Sequence, residues 1–187
     1  MLCFEMNGEP LPREHGFPVR LIAPGQYGVA NVKWLTRIQL VDQRYAGRFM
    51  APDYVTIGEP HPGQPAWTFH TVSHARLKSA PARVLRHGTR HTIHGPAWGA
   101  PIARVEVQID GGRWQRAALD RPRERKGFAW RFWSYDWGTP SAGEHTVRSR
   151  AFDTDGHMQP PPDDPYLTSR RTYWENNGQI TRRVRTT

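Results

Sequence analysis

From His91 onward the chain consists of short alternating runs broken by turn residues, and this pattern restricts the fold more than any other feature. Ile102, Val105, Val107 and Ile109 lead into Asp110-Gly111-Gly112, and Trp114 to Leu119 follows. Successive side chains of a strand point to opposite faces, so near period-two apolar spacing on both sides of a Gly-rich turn predicts a hairpin. Ala129-Trp130-Arg131-Phe132-Trp133 and the run from His145 to Ala151 add further alternating segments, separated by Gly138, Pro140 and Gly143. Strands with turns at roughly ten-residue intervals favour a β-sandwich. Residues from about 91 to 180 are therefore expected to form a mainly antiparallel sandwich with Trp98, Val105, Val107 and Trp114 in its core.

The first 56 residues have a different texture. Their Gly and Pro density predicts a loop-rich α+β segment rather than long helices. Within it, Val32, Trp34, Ile38 and Leu40 alternate approximately, as in a strand entering a core. Between Gly58 and Pro81 the prolines at 60, 62, 65 and 81 punctuate a polar stretch, and only Trp67 to Val72 fits a short strand there. The expected organisation is a first segment over 1–56, a connector and domain start over 57–90, and a β domain over 91–187.

Composition narrows the function classes. At 187 residues with 37% apolar content and eight Trp, the chain can fill a modest core. No apolar run approaches the roughly 18 residues that span a bilayer, and Glu5, Glu9 and Glu14 interrupt the start, so neither a membrane span nor a signal peptide is expected. A single cysteine leaves no internal disulfide or thiolate zinc cluster. The net charge of +9 raises the question of nucleic acid, but the only lysines are Lys33, Lys78 and Lys126. The remaining positive charge is Arg dispersed among acids, without a recognition-helix, RNP or zinc-finger pattern, so no nucleic-acid partner is expected.

Three ordered blocks at the start, Asn7-Gly8-Glu9-Pro10-Leu11-Pro12, His15-Gly16-Phe17-Pro18-Val19-Arg20 and Asn31-Val32-Lys33-Trp34-Leu35, resemble the sulfite oxidase family of molybdopterin enzymes. The likeness continues through His94-Gly95-Pro96-Ala97-Trp98-Gly99, Arg104-Val105-Glu106-Val107, Asp110-Gly111-Gly112 with Trp114, and Arg150-Ala151-Phe152-Asp153 with Gln159-Pro160. These blocks are similar to the family's C-terminal dimerisation domain, which has an immunoglobulin-like fold. The resemblance implies that residues 1–56 are the C-terminal fragment of a molybdopterin-binding domain and that 91–187 are the dimerisation domain. It also implies a homodimer, or association with a complementing upstream polypeptide, and transfer of electrons to an external acceptor in an intact enzyme.

A molybdopterin ends in a phosphate, which needs a bidentate cation, a further point charge and backbone that can approach closely. By resemblance His15, Arg20, Asn31, Val32 and Lys33 hold this cofactor, with Gly16, Gly25 and Gly28 permitting the approach. Arg104 would contribute an anion contact from the second domain, although Gly99-Ala100-Pro101 stands where animal and plant members carry a glycine run followed by Arg. The family's molybdenum-ligating cysteine belongs to a segment absent here, and Cys3 lies at the wrong place, so no metal ligand is assigned and the chain alone is expected to be inactive. His70 and His74, and His87 and His91, have the i, i+4 spacing of helical zinc pairs, but they lie in connector and strand. Asp163-Asp164 fits a solvated turn. The alternative function is a non-catalytic β-sandwich dimerisation or interaction module.

Overall fold

Gly and Pro punctuation breaks the chain into strands of very unequal length joined by turns. The computed structural model describes residues 1–43, 45–121, 128–172 and 174–187, so Lys126 lies outside the described residues. In chain order the strands are β1 (Leu2–Cys3), β2 (Glu5–Met6), β3 (Glu9–Pro10), β4 (Arg20–Leu21), β5 (Val55–Gly58), β6 (Thr68–Thr71), β7 (Lys78–Ser79) and β8 (Arg83–His87). They continue as β9 (Arg90–Trp98), β10 (Ile102–Ile109), β11 (Gln115–Arg116), β12 (Ala118–Leu119), β13 (Arg131–Gly138), β14 (Gly143–Asp153), β15 (Arg170–Thr172) and β16 (Thr181–Thr186). The described residues add two 3-10 turns, at Arg13–His15 and Gly28–Ala30, and one helical turn, α1 (Pro165–Thr168). The chain divides into two units, residues 1–75 with 170–175 and residues 76–169 with 176–187.

The first unit contains little sheet. β1 pairs antiparallel with β4, β2 with β3, and β15, β5 and β6 form a three-stranded sheet. The β2–β3 hairpin turns at Asn7-Gly8, a dipeptide suited to the positive φ both residues adopt. Its buried hydrophobics among the described residues are Leu11, Val55 and Val72, whereas Phe4, Phe17, Trp34, Ile38, Leu40 and Phe49 are all more than half exposed.

The second unit is an immunoglobulin-like β-sandwich. One sheet runs β11-β10-β14-β16; the other runs β12-β13-β9, with β7 and β8 sharing the far edge of β9. Alternation on β10 places Val105 and Val107 inward beside Ile93, Ala97, Ile102, Ala117, Trp133, Val147 and Ala151, which form one buried cluster. A buried polar group joins the two sheets. Gln159 Oε1 accepts the backbone N–H of Ser79 on β7 at 2.9 Å and of Ala151 on β14 at 3.2 Å, and its Nε2 donates to the Ser79 and Asn177 carbonyls. Trp133 Nε1 donates to Ser79 Oγ at 3.0 Å, and Ser79 Oγ lies 3.0 Å from Ser149 Oγ. Each member of this buried set has a partner, the condition for polar groups to reside in a core.

Several expectations change at the level of elements. The return from Asp110-Gly111 does not stay in one sheet: β11 pairs with β10, whereas β12 crosses to β13, with the Ala117 N–H bonding the Val105 carbonyl at the crossing. Trp98 and Trp114 are half-buried and lie outside the core cluster, because their positions in the alternation put them on outer faces. Trp98 stacks on Trp130 with ring centres 5.1 Å apart. Val32 to Leu40 forms no strand; Val32, Trp34, Ile38 and Leu40 are exposed, and Trp34 has φ of 51°. Alternation yields a strand only where a partner ladder and a core face are present. In residues 57–90 the prolines fall outside the strands, but β7 and β8 occupy this stretch along with β6.

Candidate functional site

The 3-10 turn at Arg13–His15 ends on Gly16, whose φ of 112° is a conformation in which a side chain is strained. Inside the turn the Arg13 carbonyl accepts the Gly16 N–H at 3.2 Å, and the last carbonyls of such a turn look outside it for donors. Three side chains reach this row of carbonyls: Trp34 Nε1 donates to the Arg13 carbonyl at 2.8 Å, Lys33 Nζ to Glu14 at 2.9 Å, and Arg20 Nη1 to His15 at 3.1 Å. Two antiparallel bonds, from the Leu21 N–H to the Val32 carbonyl and from the Leu35 N–H to the Val19 carbonyl, bring the two contributing segments together.

Arg20 and Lys33 converge on Gly16. A Cβ built there would lie 3.1 Å from the Arg20 Cβ and 3.2 Å from the Lys33 Cβ, so the three backbones approach as closely as glycine permits. The Lys33 ammonium also sits 4.6 Å from the centre of the Trp34 ring. Arg20 Nε is buried with no hydrogen-bond partner. A buried, unpartnered donor on a guanidinium is costly unless a ligand completes it, and beside a second cation it suits a phosphate.

The other expected residues have different placements. His15 is exposed and offers its carbonyl to Arg20. Asn31 braces the loop before it: Oδ1 accepts the Ala23 N–H at 2.8 Å and Nδ2 donates to the Tyr27 carbonyl at 3.1 Å. Val32 contributes its carbonyl to Leu21 while its side chain faces outward. Gly16 makes a tight approach, whereas a Cβ on Gly28 would meet open space. Trp34 is the participant that alternation concealed, since a strand reading assigned it to a core; its adjacency to Lys33 was the available signal.

Arg104 belongs to a different cluster. Its Nε donates to Glu106 Oε1 at 3.1 Å and its guanidinium carbon lies 3.4 Å from the Phe152 ring centre. Arg150 takes the other carboxylate oxygen of Glu106 at 2.8 Å and covers Trp114. Burial pushes the Glu106 carboxyl up, but the hydrogen bonds and charges of Arg150 and Arg104 outweigh it and hold the group below its ordinary range. The histidine pairs lie off any helix: His70 is on β6, His74 contacts the Gln26 side chain, and His87 and His91 flank the β8–β9 turn. Asp164 caps α1 by accepting the Tyr166 N–H. Cys3 is half-buried, with Sγ directed to the Glu5 carbonyl at 2.8 Å.

Two family models match the chain. The family described as "oxidoreductase molybdopterin binding domain" matches residues 1–49, and "Mo-co oxidoreductase dimerisation domain" matches residues 67–177. The chain belongs to the sulfite oxidase family of molybdopterin oxidoreductases, carrying the C-terminal part of the cofactor domain and the dimerisation domain. Human mitochondrial sulfite oxidase is 35% identical over 179 residues, covering 86% of this chain and 32% of that protein. Chicken sulfite oxidase is 31% identical, with 86% and 38% covered, and a NADH nitrate reductase of Phaseolus vulgaris is 29% identical, with 86% and 21% covered. The chain thus spans about a third of the length of the sulfite oxidases it matches. Among solved structures, the sulfane dehydrogenase SoxCD from Paracoccus pantotrophus superposes with a TM-score of 0.83 at 31% identity, covering 99% of this chain and 48% of that one.

Proposed function

We propose that this chain is the C-terminal part of a sulfite-oxidase-like molybdopterin oxidoreductase and that Arg20, Lys33 and the Gly16 turn receive the cofactor's terminal phosphate. The observation that carries the reading is the close approach of the Arg20 and Lys33 backbones to Gly16 beside the unpartnered Arg20 Nε. The residues fit a phosphate in charge and in donor supply. Asn31 and the Val32 carbonyl act by holding the loop and the Lys33 segment in place, and His15 lies at the rim. When bound, the group supplies oxygen-atom transfer at molybdenum, with electrons leaving to an external acceptor.

In this reading residues 1–56 are a cofactor-domain segment, 57–90 join it to the second domain, and 91–187 form the dimerisation domain. The chain is inactive alone. Cys3 is not the metal's thiolate, since its sulfur is turned toward the Glu5 carbonyl, and the exposed Phe4, Phe17, Trp34 and Leu40 are a surface for a complementing upstream segment. Arg104 is engaged with Glu106 and Phe152, so we assign it to holding the outer sheet face rather than to an anion pocket. No helix among the described residues is long and apolar enough to cross a membrane.

The test is retention of molybdopterin, measured as oxidised pterin fluorescence, after production with the upstream half of a family member's cofactor domain. Arg20→Ala and Lys33→Ala should each lower pterin affinity by about tenfold or more, the usual scale of a hydrogen bond to a charged group. Unchanged retention in both variants would remove the phosphate from this place.

A further inference from the structure

The sandwich is open along one side, where β8 and β16 are edge strands of different sheets and share no ladder. Hydrogen bonds close that side at both ends. Arg86 Nη1 donates to Thr187 Oγ1 at 3.1 Å at one end, and Asn177 Nδ2 donates to the Leu77 carbonyl at 3.1 Å at the other. Between them lies a slot of about 240 Å³. Its floor is apolar: Val147 is fully buried, and Val84 and Val184 are half-buried against the core cluster. Its rim is cationic, formed by Arg83, Arg182 and Arg183. Register sets Arg182 opposite Val147 and on the same side of β16 as Val184, the side that turns toward the other sheet, yet Arg182 is exposed. Its guanidinium therefore belongs to the mouth of the slot rather than to the core.

An inward-pointing charge on an edge strand also discourages pairing with other strands. That role accounts for Arg182, but not for the gathering of three guanidiniums around one apolar slot. Among the described residues no carboxylate pairs with Arg83, Arg182 or Arg183. The other charges nearby are engaged or face elsewhere. Glu144 stands opposite Arg185 on the outer face, Arg148 donates to Thr181 Oγ1, Arg86 to the Gly88 carbonyl and Thr187, and Lys78 to the Asn176 carbonyl. Like charges gathered without a counter-ion attract an anion, and a valine floor favours an alkyl body. We propose that this slot binds a small amphiphilic anion, an aliphatic carboxylate of about six to eight carbons, a size below that of the drug-like ligands that fill pockets of roughly 300–1,000 Å³. The chain lies against Val84, Val147 and Val184, and the carboxylate accepts hydrogen bonds from Arg182, with Arg83 and Arg183 beside it. All of these residues lie in the second unit, so the site is independent of the phosphate site proposed in the first.

Methyl NMR of the full chain with isotope-labelled valine, titrated with sodium octanoate below its micelle concentration, tests this. The methyl resonances of Val84, Val147 and Val184 should shift and saturate. Hexanoate should move the same resonances with a dissociation constant about fifteenfold higher, since each buried methylene is worth about fourfold, and acetate should move none of them. Arg182→Gln should weaken octanoate binding about tenfold or more, the scale of a hydrogen bond to a charged group. Arg116→Gln, at the opposite edge of the same sheet, should leave binding unchanged. Both arginines are exposed, and the methyl spectrum of each free variant reports whether its fold is intact. Arg83→Gln, on the other sheet, gives the same readout if Arg182→Gln fails to fold. Shifts confined to other methyls, an affinity indifferent to chain length, or full affinity in both Arg182→Gln and Arg83→Gln would overturn the proposal, because octanoate would then merely be screening surface charge.

Discussion

At the scale of single residues, Gly16 is the position where conformation and proximity coincide. Gly16→Ala imposes a side chain on a φ of 112° and places a methyl group 3.1 Å from Arg20 Cβ and 3.2 Å from Lys33 Cβ. We expect a cost of about 1–2 kcal/mol for the backbone conformation, with the two cations pushed apart and pterin retention reduced more than stability. Equal retention by the variant, measured on the complemented protein, would contradict the cradle. A second residue-scale device fastens the β10 turn. His145 Nδ1 lies 2.6 Å from Asp110 Oδ2 and its Nε2 lies 2.9 Å from the Ser141 carbonyl, so both ring nitrogens face acceptors and the doubly protonated ring suits the site. The Asp110 bond, then the Ser141 bond, raise the His145 pKa above 6.5, and the His145 bond chiefly lowers that of Asp110 below 3.8. The His145 contribution is therefore complete below pH 6.5 and lost as pH rises through the raised value. That of Asp110 is present above 3.8 and lost as pH falls through the lowered value. Thermal melts should show a stability gain of the unaltered chain over His145→Gln at pH 5.5 that shrinks at pH 9; a gain that grows with pH would contradict this sign.

At the scale of elements, close packing inside one sheet and a buried amide between the two sheets hold the sandwich together. A Cβ on Gly95 of β9 would collide with the Ala80 carbonyl and the Trp133 ring, so Gly95→Ala should cost about 3 kcal/mol by overpacking. Gln159→Ala removes the acceptor for two buried N–H groups and the donor for several carbonyls, and should also cost about 3 kcal/mol. Denaturant midpoints check both, and a loss below about 1 kcal/mol in either would mean the sheets are joined otherwise. The long strands were legible in the sequence because one face of each enters a core: Val105, Val107, Val147 and Ala151 alternate with polar residues as a half-buried strand requires. The two-residue strands were not, since so short a segment has no period. The Val32 to Leu40 stretch misled because its alternation is real but its ladder and covering face are absent. Asn7-Gly8 carried a hairpin signal that the surrounding motif overshadowed. In the candidate site the residue types Arg20 and Lys33 were visible, whereas the carbonyl capping by Trp34 depends on a fold-back between segments that local pattern does not encode.

At the scale of the whole molecule, the two units differ in how much apolar surface each buries for itself. The sandwich has one continuous core cluster; the first unit's described residues bury Leu11, Val55 and Val72 and expose most other large apolar side chains. Local stability follows buried contact, so limited trypsin digestion should cut the exposed stretch after Arg37 or Arg48 before it cuts inside the strands β9, β10, β13 or β14 themselves. Early loss of the sandwich with residues 1–56 intact would contradict that ordering. The proposed function makes the first unit one part of a molybdopterin site that another polypeptide segment completes. Molybdenum and pterin content of the purified protein, produced in a cofactor-synthesising host with and without the upstream half of a family member's cofactor domain, tests it most directly. Near-stoichiometric pterin and molybdenum are expected only in the complemented protein. Stoichiometric molybdenum on the chain alone, or no pterin in a stable complemented complex, would contradict it.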